Sequence, residues 1–442
     1  MSHSALCVAN CRTASTGQSS ALAAAIAGAA RRTLLRLWVS GTLAAMHIAL
    51  AIEHLDARRG GAETWVSRFA AFLRREGHRV TVVAQDARGE PQGCAVRLVR
   101  PGGLTAAGRT ASFARRVRDA LRELRPDASL ATGKALGMTV YQPHGGTVRA
   151  SQRQNIALIP SYDGRGLKML MNRLSPKHRA ALRLESEQFA DPTVRLVAIS
   201  EMVRRDMRTF YRVDDSRIRL VYNGVDTERF DPERLRPLRG RLRQRHGIDD
   251  DTVVLLFVAH NFKLKGLREL LVALRQVQQR AGRPVRLLVV GRDRRWKAYR
   301  KLARRLDIEP QVVFAGPCDD AAEAYAAADV FVHPTWYDPC SLVMLEAMAS
   351  GLPSISTRLN GASELAEGSG AAVVLDAPRP VGALAEAMLG LMDPERREAM
   401  GRAARQVALE HPLERNFREM LACLEESAAT TAARHGEGAI GV

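Results

Sequence analysis

The stretch HPTWYDPCSLVMLEAMASGLPSISTRLNG, from His333 to Gly361, sets two carboxylates, Asp338 and Glu346, about one loop and two helical turns apart. Upstream, Asp329 to Val332 (DVFV) reads as a short buried strand, and His333-Pro334 ends it because proline has no N–H for the ladder. From Ser341, SLVMLEAMASG places Leu342, Leu345 and Ala349, with Val343 and Ala347, on apolar faces of one helix. Ser341 serves as its cap and Gly351 as its stop. Glu346 is then a charge in the second turn of an otherwise apolar helix. A carboxylate there must find donors or solvent, since burying it unpaired is expensive. Ribose hydroxyls are donors of that kind, and the free amides at the helix start suit a phosphate; a core arginine would serve Glu346 as well.

The surrounding chain alternates strand and helix. In the first half the apolar runs are HIALAI from His47, HRVTVVAQ (78–85), VRLVR (96–100), a weak strand at Ala128–Ala131, TVYQPH (139–144), VRLVAIS (194–200) and IRLVYNG (218–224). Helical patterns fall at Glu63–Glu76, Ser112–Leu124, Pro176–Phe189 and 201–211. The second half repeats the theme with VVLLFVA (253–259), VRLLVVG (285–291), VVFAG (312–316), DVFVHP, LPSIST (352–357) and AAVVL (371–375), again separated by helices. Apolar strands separated by helices mean mostly parallel sheets covered on both faces. The expected fold is α/β, with two Rossmann-like doubly wound domains facing a central cleft, where ligands of open sheets bind. The boundaries are 46–230 for the first domain and 231–410 for the second. In 411–442 a last helix, with the stripe Phe417, Met420, Leu421 and Leu424, returns over the first domain.

Size and composition agree. At 442 residues and 46% hydrophobic the chain is globular and long enough for two domains of about 200 residues each. The balance of 66 Lys+Arg against 47 Asp+Glu leaves +19, which attracts nucleic acid, anionic lipid or phosphorylated carbohydrate. No RNP, zinc-finger or helix-turn-helix pattern accompanies the charge, which argues against nucleic acid. Basic residues cluster at Arg115–Arg125 and Arg149–Arg183, either as solvated faces or as a surface approaching an anionic membrane or acceptor. Six scattered cysteines read as reduced cytosolic thiols, not a disulfide framework or metal site. Near the amino end, Arg36 interrupts TLLRLWVSGTLAAMHIALAIEH, leaving an apolar run of about 16 residues, short of the roughly 20 that a span needs. Residues 1–45 are expected to be a loosely attached appendage or an upstream start-codon artefact.

Three further constellations stand at predicted strand ends. RRGGAE (Arg58–Glu63) puts Gly60-Gly61 immediately before a helix, where tandem glycines permit a tight turn or bring amides close to a ligand. Neither GxGxxG nor GxxxxGK[ST] is present, so a nicotinamide or P-loop enzyme is not indicated. FVAHNFKLKG (Phe257–Gly266) carries Lys263 and Lys265 just ahead of a helix, as solvated surface or as a grip on a diphosphate. QPHGG places His144 at a strand end on the cleft side, as a packed histidine or as a partner for a sugar.

GGAE, His144 followed by two glycines, AIS (198–200), NGVD with Phe230 behind it, LKG (264–266) and DPCSLVMLEAMASGLP from Asp338 resemble the retaining GT-B glycosyltransferases of family GT4. Within them the chain is most similar to lipopolysaccharide core glucosyltransferases, from about Met46 onward. The resemblance implies a hexosyltransferase that moves glucose from UDP-glucose to a lipopolysaccharide inner-core acceptor, a lipid-linked or phosphorylated saccharide. It would work in the cytoplasm, at the cytoplasmic face of the inner membrane, with no cofactor, no metal and no nucleic acid. Glu346 becomes the ribose ligand. The first of the family's two motif glutamates is here Asp338, one methylene shorter. The arginine that usually accompanies the phosphate lysine would fall at Ala259 or His260, so Lys263 substitutes for it beside Lys265. Gly61, Leu342 and Val343 would hold the donor, Gly60 and Glu63 would lie on the acceptor side, and His144 would contact the transferred sugar. His144, Asp338 and Lys265 form the catalytic set.

Three rivals remain open at this level: a GT4 transferase for capsule, exopolysaccharide or glycolipid using another sugar nucleotide; a sugar-nucleotide epimerase on the same fold; and a basic anionic-polymer binding protein without catalysis, which would bind polymer in a salt-sensitive way.

Overall fold

The computed structural model describes residues 45–438 apart from 57, 58, 90 and 319, with side chains described to residue 433. The expectations for residues 1–44 lie outside the described residues.

Two parallel sheets organise the chain. The first has seven strands in the spatial order Ala95–Leu98, Arg79–Ala84, His47–Ala51, Ala128–Ala131, Val140–Tyr141, Arg195–Ala198 and Ile218–Leu220. The chain runs outward from His47–Ala51 to one edge, then crosses back to Ala128–Ala131 and proceeds to the other. The second sheet repeats this with six strands: Val312–Gly316, Val285–Arg292, Val253–His260, Val330–Val332, Ser354–Thr357 and Ala372–Leu375. Its reversal lies between Val253–His260 and Val330–Val332. Both central strands are buried along most of their length, which is why they read as continuous apolar runs and not as alternating ones. The molecule is thus built from two Rossmann-like α/β domains whose sheets face a central cleft.

Local differences from the sequence reading have plain causes. The strand expected over 139–144 is only Val140–Tyr141, since Pro143 cannot donate to a ladder. The helix expected from Ser112 starts at Ala106, capped by Thr105, whose side chain accepts from Gly108 N. Two helices, Val148–Ala157 and Tyr162–Leu174, occupy a stretch where the sequence reading places none. Each buries a single residue, Ala150 and Asn172, so neither carries the apolar periodicity of a core-facing helix.

Polar contacts join the two domains around the cleft. Asn223 Nδ2 donates to Cys340 O at 2.8 Å, and Thr147 N donates to Tyr337 Oη at 3.2 Å. Glu364 accepts from the amides of Glu201 and Met202 at 2.8 and 2.7 Å, at the start of the Glu201–Tyr211 helix, and from Tyr222 Oη at 2.9 Å. The helix from Leu413 packs on the first sheet and on the Gly61–Arg75 helix. Asn416 accepts from Trp65 Nε1 at 2.8 Å, and Phe417 lies against the rings of Trp65, Phe69 and Phe72. Among the described residues Cys94, Cys340 and Cys423 are free thiols. Among the described residues no helix is long and apolar enough to cross a membrane.

Candidate active site

Open parallel sheets bind ligands beyond the carboxyl ends of their strands, where the strand order reverses. In the second domain that point lies between the loop after Val253–His260, which carries Lys263 and Lys265, and the loop after Val330–Val332, which carries His333 to Asp338. The adjacency joins residues far apart in the chain. Lys265 Nζ lies 2.7 Å from Asp338 Oδ2 and 3.0 Å from Tyr337 O. His333 Nε2 lies 3.1 Å from the same Asp338 oxygen. Burial alone would raise the Asp338 carboxyl, yet Lys265 and the His333 N–H hold it well below the usual carboxylate range. Burial also lowers the pKa of His333, which stays a neutral imidazole.

Gly266 makes this arrangement possible. It ends the lysine loop with φ of +81°, and a Cβ there would lie 1.9 Å from Pro334 O, so only glycine lets the two loops close on each other. Lys263, two residues before Lys265, is exposed, as is His260; Ala259 is buried in the strand.

The Leu342–Ala349 helix begins as expected, with Ser341 Oγ accepting from Met344 N at 3.4 Å. Its first-turn residues Leu342 and Val343 lie where an α-helix leaves amides without intrahelical partners. Glu346 is half-buried and makes no direct ion pair among the described residues. Its Oε2 accepts from Tyr325 Oη at 2.7 Å. Burial pushes its carboxyl up to about 7, opposed by the Tyr325 hydroxyl and the nearby charges of Arg229 and Arg68.

The first domain contributes the opposite wall. Gly60 precedes the Gly61–Arg75 helix, and the Glu63 carboxylate folds back over it. A Cβ on Gly61 would lie 2.8 Å from Leu342 Cδ1, so the double-glycine turn rests directly on the start of the Glu346 helix. His144 Nε2 donates to Gln142 Oε1 at 2.8 Å, its ring packs 4.8 Å from that of Trp65, and burial lowers its pKa to about 4. A cavity of about 1060 Å³ opens beside it, lined by Glu63, Arg59, Arg109, Lys134, His144 and Glu185 among others. Its charged lining balances four carboxylates (Glu53, Glu63, Asp86, Glu185) against four Lys and Arg side chains (Arg59, Arg109, Lys134, Lys177). Such a surface fits a polyhydroxylated ligand better than a polyanion.

The structure therefore brings Lys265 together with Asp338, and Gly61 together with Leu342, while Lys263 is exposed. Sequence reasoning misses His333, read only as a strand terminator, and Tyr325, the partner of Glu346. The signal for Tyr325 is slight, a single aromatic in the alanine-rich Ala321–Ala327 helix. Among the described residues no group of three His, Cys, Asp or Glu side chains is arranged to hold a metal ion.

Comparison with known proteins agrees with the two-domain fold. Residues 252–394 match the family model described as Glycosyl transferases group 1, and residues 59–229 match that of Glycosyltransferase Family 4. The lipopolysaccharide glucosyltransferase WaaG of Escherichia coli K12 is 26% identical over 304 residues, spanning 68% of this chain and 78% of the relative. D-inositol 3-phosphate glycosyltransferase 2 of Catenulispora acidiphila is 32% identical over 263 residues, 57% of this chain and 60% of that protein. Among solved structures, WaaG superimposes with a TM-score of 0.73 at 23% identity, covering 85% of this chain and 99% of the other. Anabaena HepE in complex with UDP and glucose superimposes with a TM-score of 0.62 at 19% identity, covering 86% and 99%. With two matched glycosyltransferase models lying one on each domain, the chain is a glycosyltransferase of the GT-B fold, related to family GT4.

Proposed function

We propose that this protein transfers glucose, with retention, from UDP-glucose to a lipopolysaccharide inner-core saccharide. The observation that carries the reading is the pairing of Lys265 with Asp338 at the reversal point of the second sheet, whose next helix start, at Leu342, meets the Gly61 turn of the first domain. In this reading the donor lies across the cleft. Glu346 accepts from the ribose hydroxyls, the amides of Leu342 and Val343 meet the diphosphate, and Lys265 neutralises the charge that grows on it as the sugar leaves. Gly61 admits the phosphates because a side chain there would fill the space against Leu342. His144, held neutral by burial, exchanges hydrogen bonds with the transferred sugar and does not act as a cation. The acceptor occupies the mixed polar cavity beside it, approached past Gly60 and Glu63, and its hydroxyl enters on the face from which the diphosphate departs. Lys263, exposed at the rim, assists with incoming negative charge and is not a fixed ligand.

A lipid-linked acceptor is supported by the Tyr162–Leu174 helix. Its Tyr162 is 87% exposed and Leu174 64%, with Leu167, Met169, Leu170 and Met171 each more than half exposed. Arg165, Lys168 and Arg173 flank them, the composition of a helix that lies in an anionic membrane interface. The protein would then work peripherally at the cytoplasmic face, where nucleotide sugars and nascent glycolipid meet.

Titration calorimetry with a panel of UDP-sugars, on wild type and Lys265→Ala, tests the donor reading. Binding of UDP-glucose that Lys265→Ala weakens by at least tenfold supports it. Undetectable binding to both folded proteins would overturn it. Glucose transfer to purified inner-core glycolipid, followed by mass spectrometry, tests the acceptor.

A further inference from the structure

We propose that His333 is a positioning residue: its Nε2–H pins the Asp338 carboxylate, and Asp338 in turn orients Lys265 toward the donor diphosphate. The inference rests on the reading of Lys265 as the diphosphate ligand.

Each link is geometric. The Asp338 backbone is clamped on both sides, its N–H donating to Leu359 O at 2.9 Å and its carbonyl accepting from Gly361 N at 2.9 Å. The reach of its side chain is therefore set by its length. With an aspartate the carboxylate stops between His333 Nε2, at 3.1 Å, and Lys265 Nζ, at 2.7 Å. A glutamate would carry its oxygens one methylene beyond both. An ammonium has three N–H groups. In Lys265 one faces Asp338 and one faces Tyr337 O, which leaves a single donor whose direction the other two define.

His333 is chemically odd for a core position, and that oddity points to a role. The side chain is fully buried, with its ring stacked on those of Phe257 and Phe331 at centroid distances of 6.1 and 5.6 Å. Its backbone is anchored as well, the N–H donating to Ile355 O and the carbonyl accepting from Ser356 Oγ. Asp338 can only accept while ionised, so the ring proton sits on Nε2. Nδ1 is buried without a hydrogen-bond partner, a penalty that a phenylalanine completing the same stack would avoid. As packing alone, an apolar ring would therefore serve here. What a histidine adds is one N–H, delivered to Asp338.

Two substitutions of His333 separate this role from packing. His333→Phe keeps the ring and removes the donor; His333→Gln loses the ring and keeps a donor near the Nε2 position. Turnover is read as UDP release from UDP-glucose, and folding as the melting temperature. A positioning role predicts that His333→Phe still folds, melting no more than a few degrees below wild type because Lys265 still pairs with Asp338, yet lowers kcat about tenfold to a hundredfold, the usual effect of losing a hydrogen bond to a charged group. KM for UDP-glucose should change by less than about threefold, because the lost stabilisation is of charge that develops in the transition state. His333→Gln should turn over faster than His333→Phe despite poorer packing. Asp338→Asn should match His333→Phe in kcat, and the double variant should be no slower than the slower single one.

Wild-type kcat in His333→Phe, a slower His333→Gln, multiplying losses in the double variant, or failure of His333→Phe to fold would each overturn the proposal. Lys265→Ala tells the two levels apart. If it loses UDP affinity and turnover while His333→Phe does not, only the positioning role is wrong; if it behaves as wild type, the lysine reading falls and the proposal with it.

Discussion

Replacing Glu346 by glutamine should move stability and donor binding in opposite directions. The Glu346 carboxyl is raised by burial from its ordinary value of 4.5 to about 7, with the Tyr325 hydroxyl as its direct hydrogen-bond donor among the described residues. That difference corresponds to at most about 3 kcal/mol for charging the group in the empty cleft. The sign follows from proton counting. Between pH 4.5 and 7 the folded protein holds a proton that the unfolded chain has released, so stability from this group is complete below pH 4.5 and lost as pH rises through 7. Glutamine still accepts from Tyr325 but never charges. The variant should therefore melt with wild type at pH 4.5 and above it at pH 8, by up to about 12 °C for a domain of roughly 200 residues. If Glu346 accepts from the ribose hydroxyls, the same variant should bind UDP about tenfold to a hundredfold more weakly at pH 8. Wild-type affinity for UDP should also fall as pH drops below about 7, a limb due to Glu346 that the variant lacks. Scanning calorimetry across pH and titration calorimetry with UDP measure both effects. Parallel stability curves from pH 4.5 to 8, or undiminished UDP binding by the variant, would refute the reasoning.

Other sites give sharper structural tests. Gly266→Ala would force a Cβ against Pro334 O in a left-handed backbone, and should cost about 3–5 kcal/mol or prevent the second domain from folding, as read by circular dichroism and melting. Gly61→Ala meets only the movable tip of Leu342, so it should lower kcat/KM for the donor several-fold without lowering Tm, and Leu342→Ala in the same chain should restore it. Leu167→Glu with Leu170→Glu should abolish co-flotation with anionic vesicles while leaving turnover of soluble UDP-glucose unchanged, because both side chains are more than half exposed.

The alternation of apolar strands and amphipathic helices is legible residue by residue, because each element buries its own stripe and the stripe has a local period. Strands such as Val253–His260 and Val285–Arg292 stand within a residue of where their apolar runs place them. The helices Val148–Ala157 and Tyr162–Leu174 are illegible for the converse reason. They bury almost nothing, and the apolar side chains of the second face outward, where no core imposes a period.

At the site, a carboxylate in an apolar helix, a double glycine before a helix and a lysine ahead of another can each be singled out from sequence, since each is a local exception that needs a reason. Their partners cannot. Lys265 and Asp338 meet because Val253–His260 and Val330–Val332 are neighbours in the sheet, a fact of strand order that no local pattern encodes. Glu346 meets a tyrosine and not the core arginine, and His333 delivers its one N–H to Asp338, because three-dimensional packing chose which side chains converge. Sequence by itself determined the two-domain α/β architecture and the residues under chemical tension. Only the tertiary structure decided how that tension is relieved, since hydrogen bonds and ion pairs act over about 3 Å in space whatever the separation along the chain.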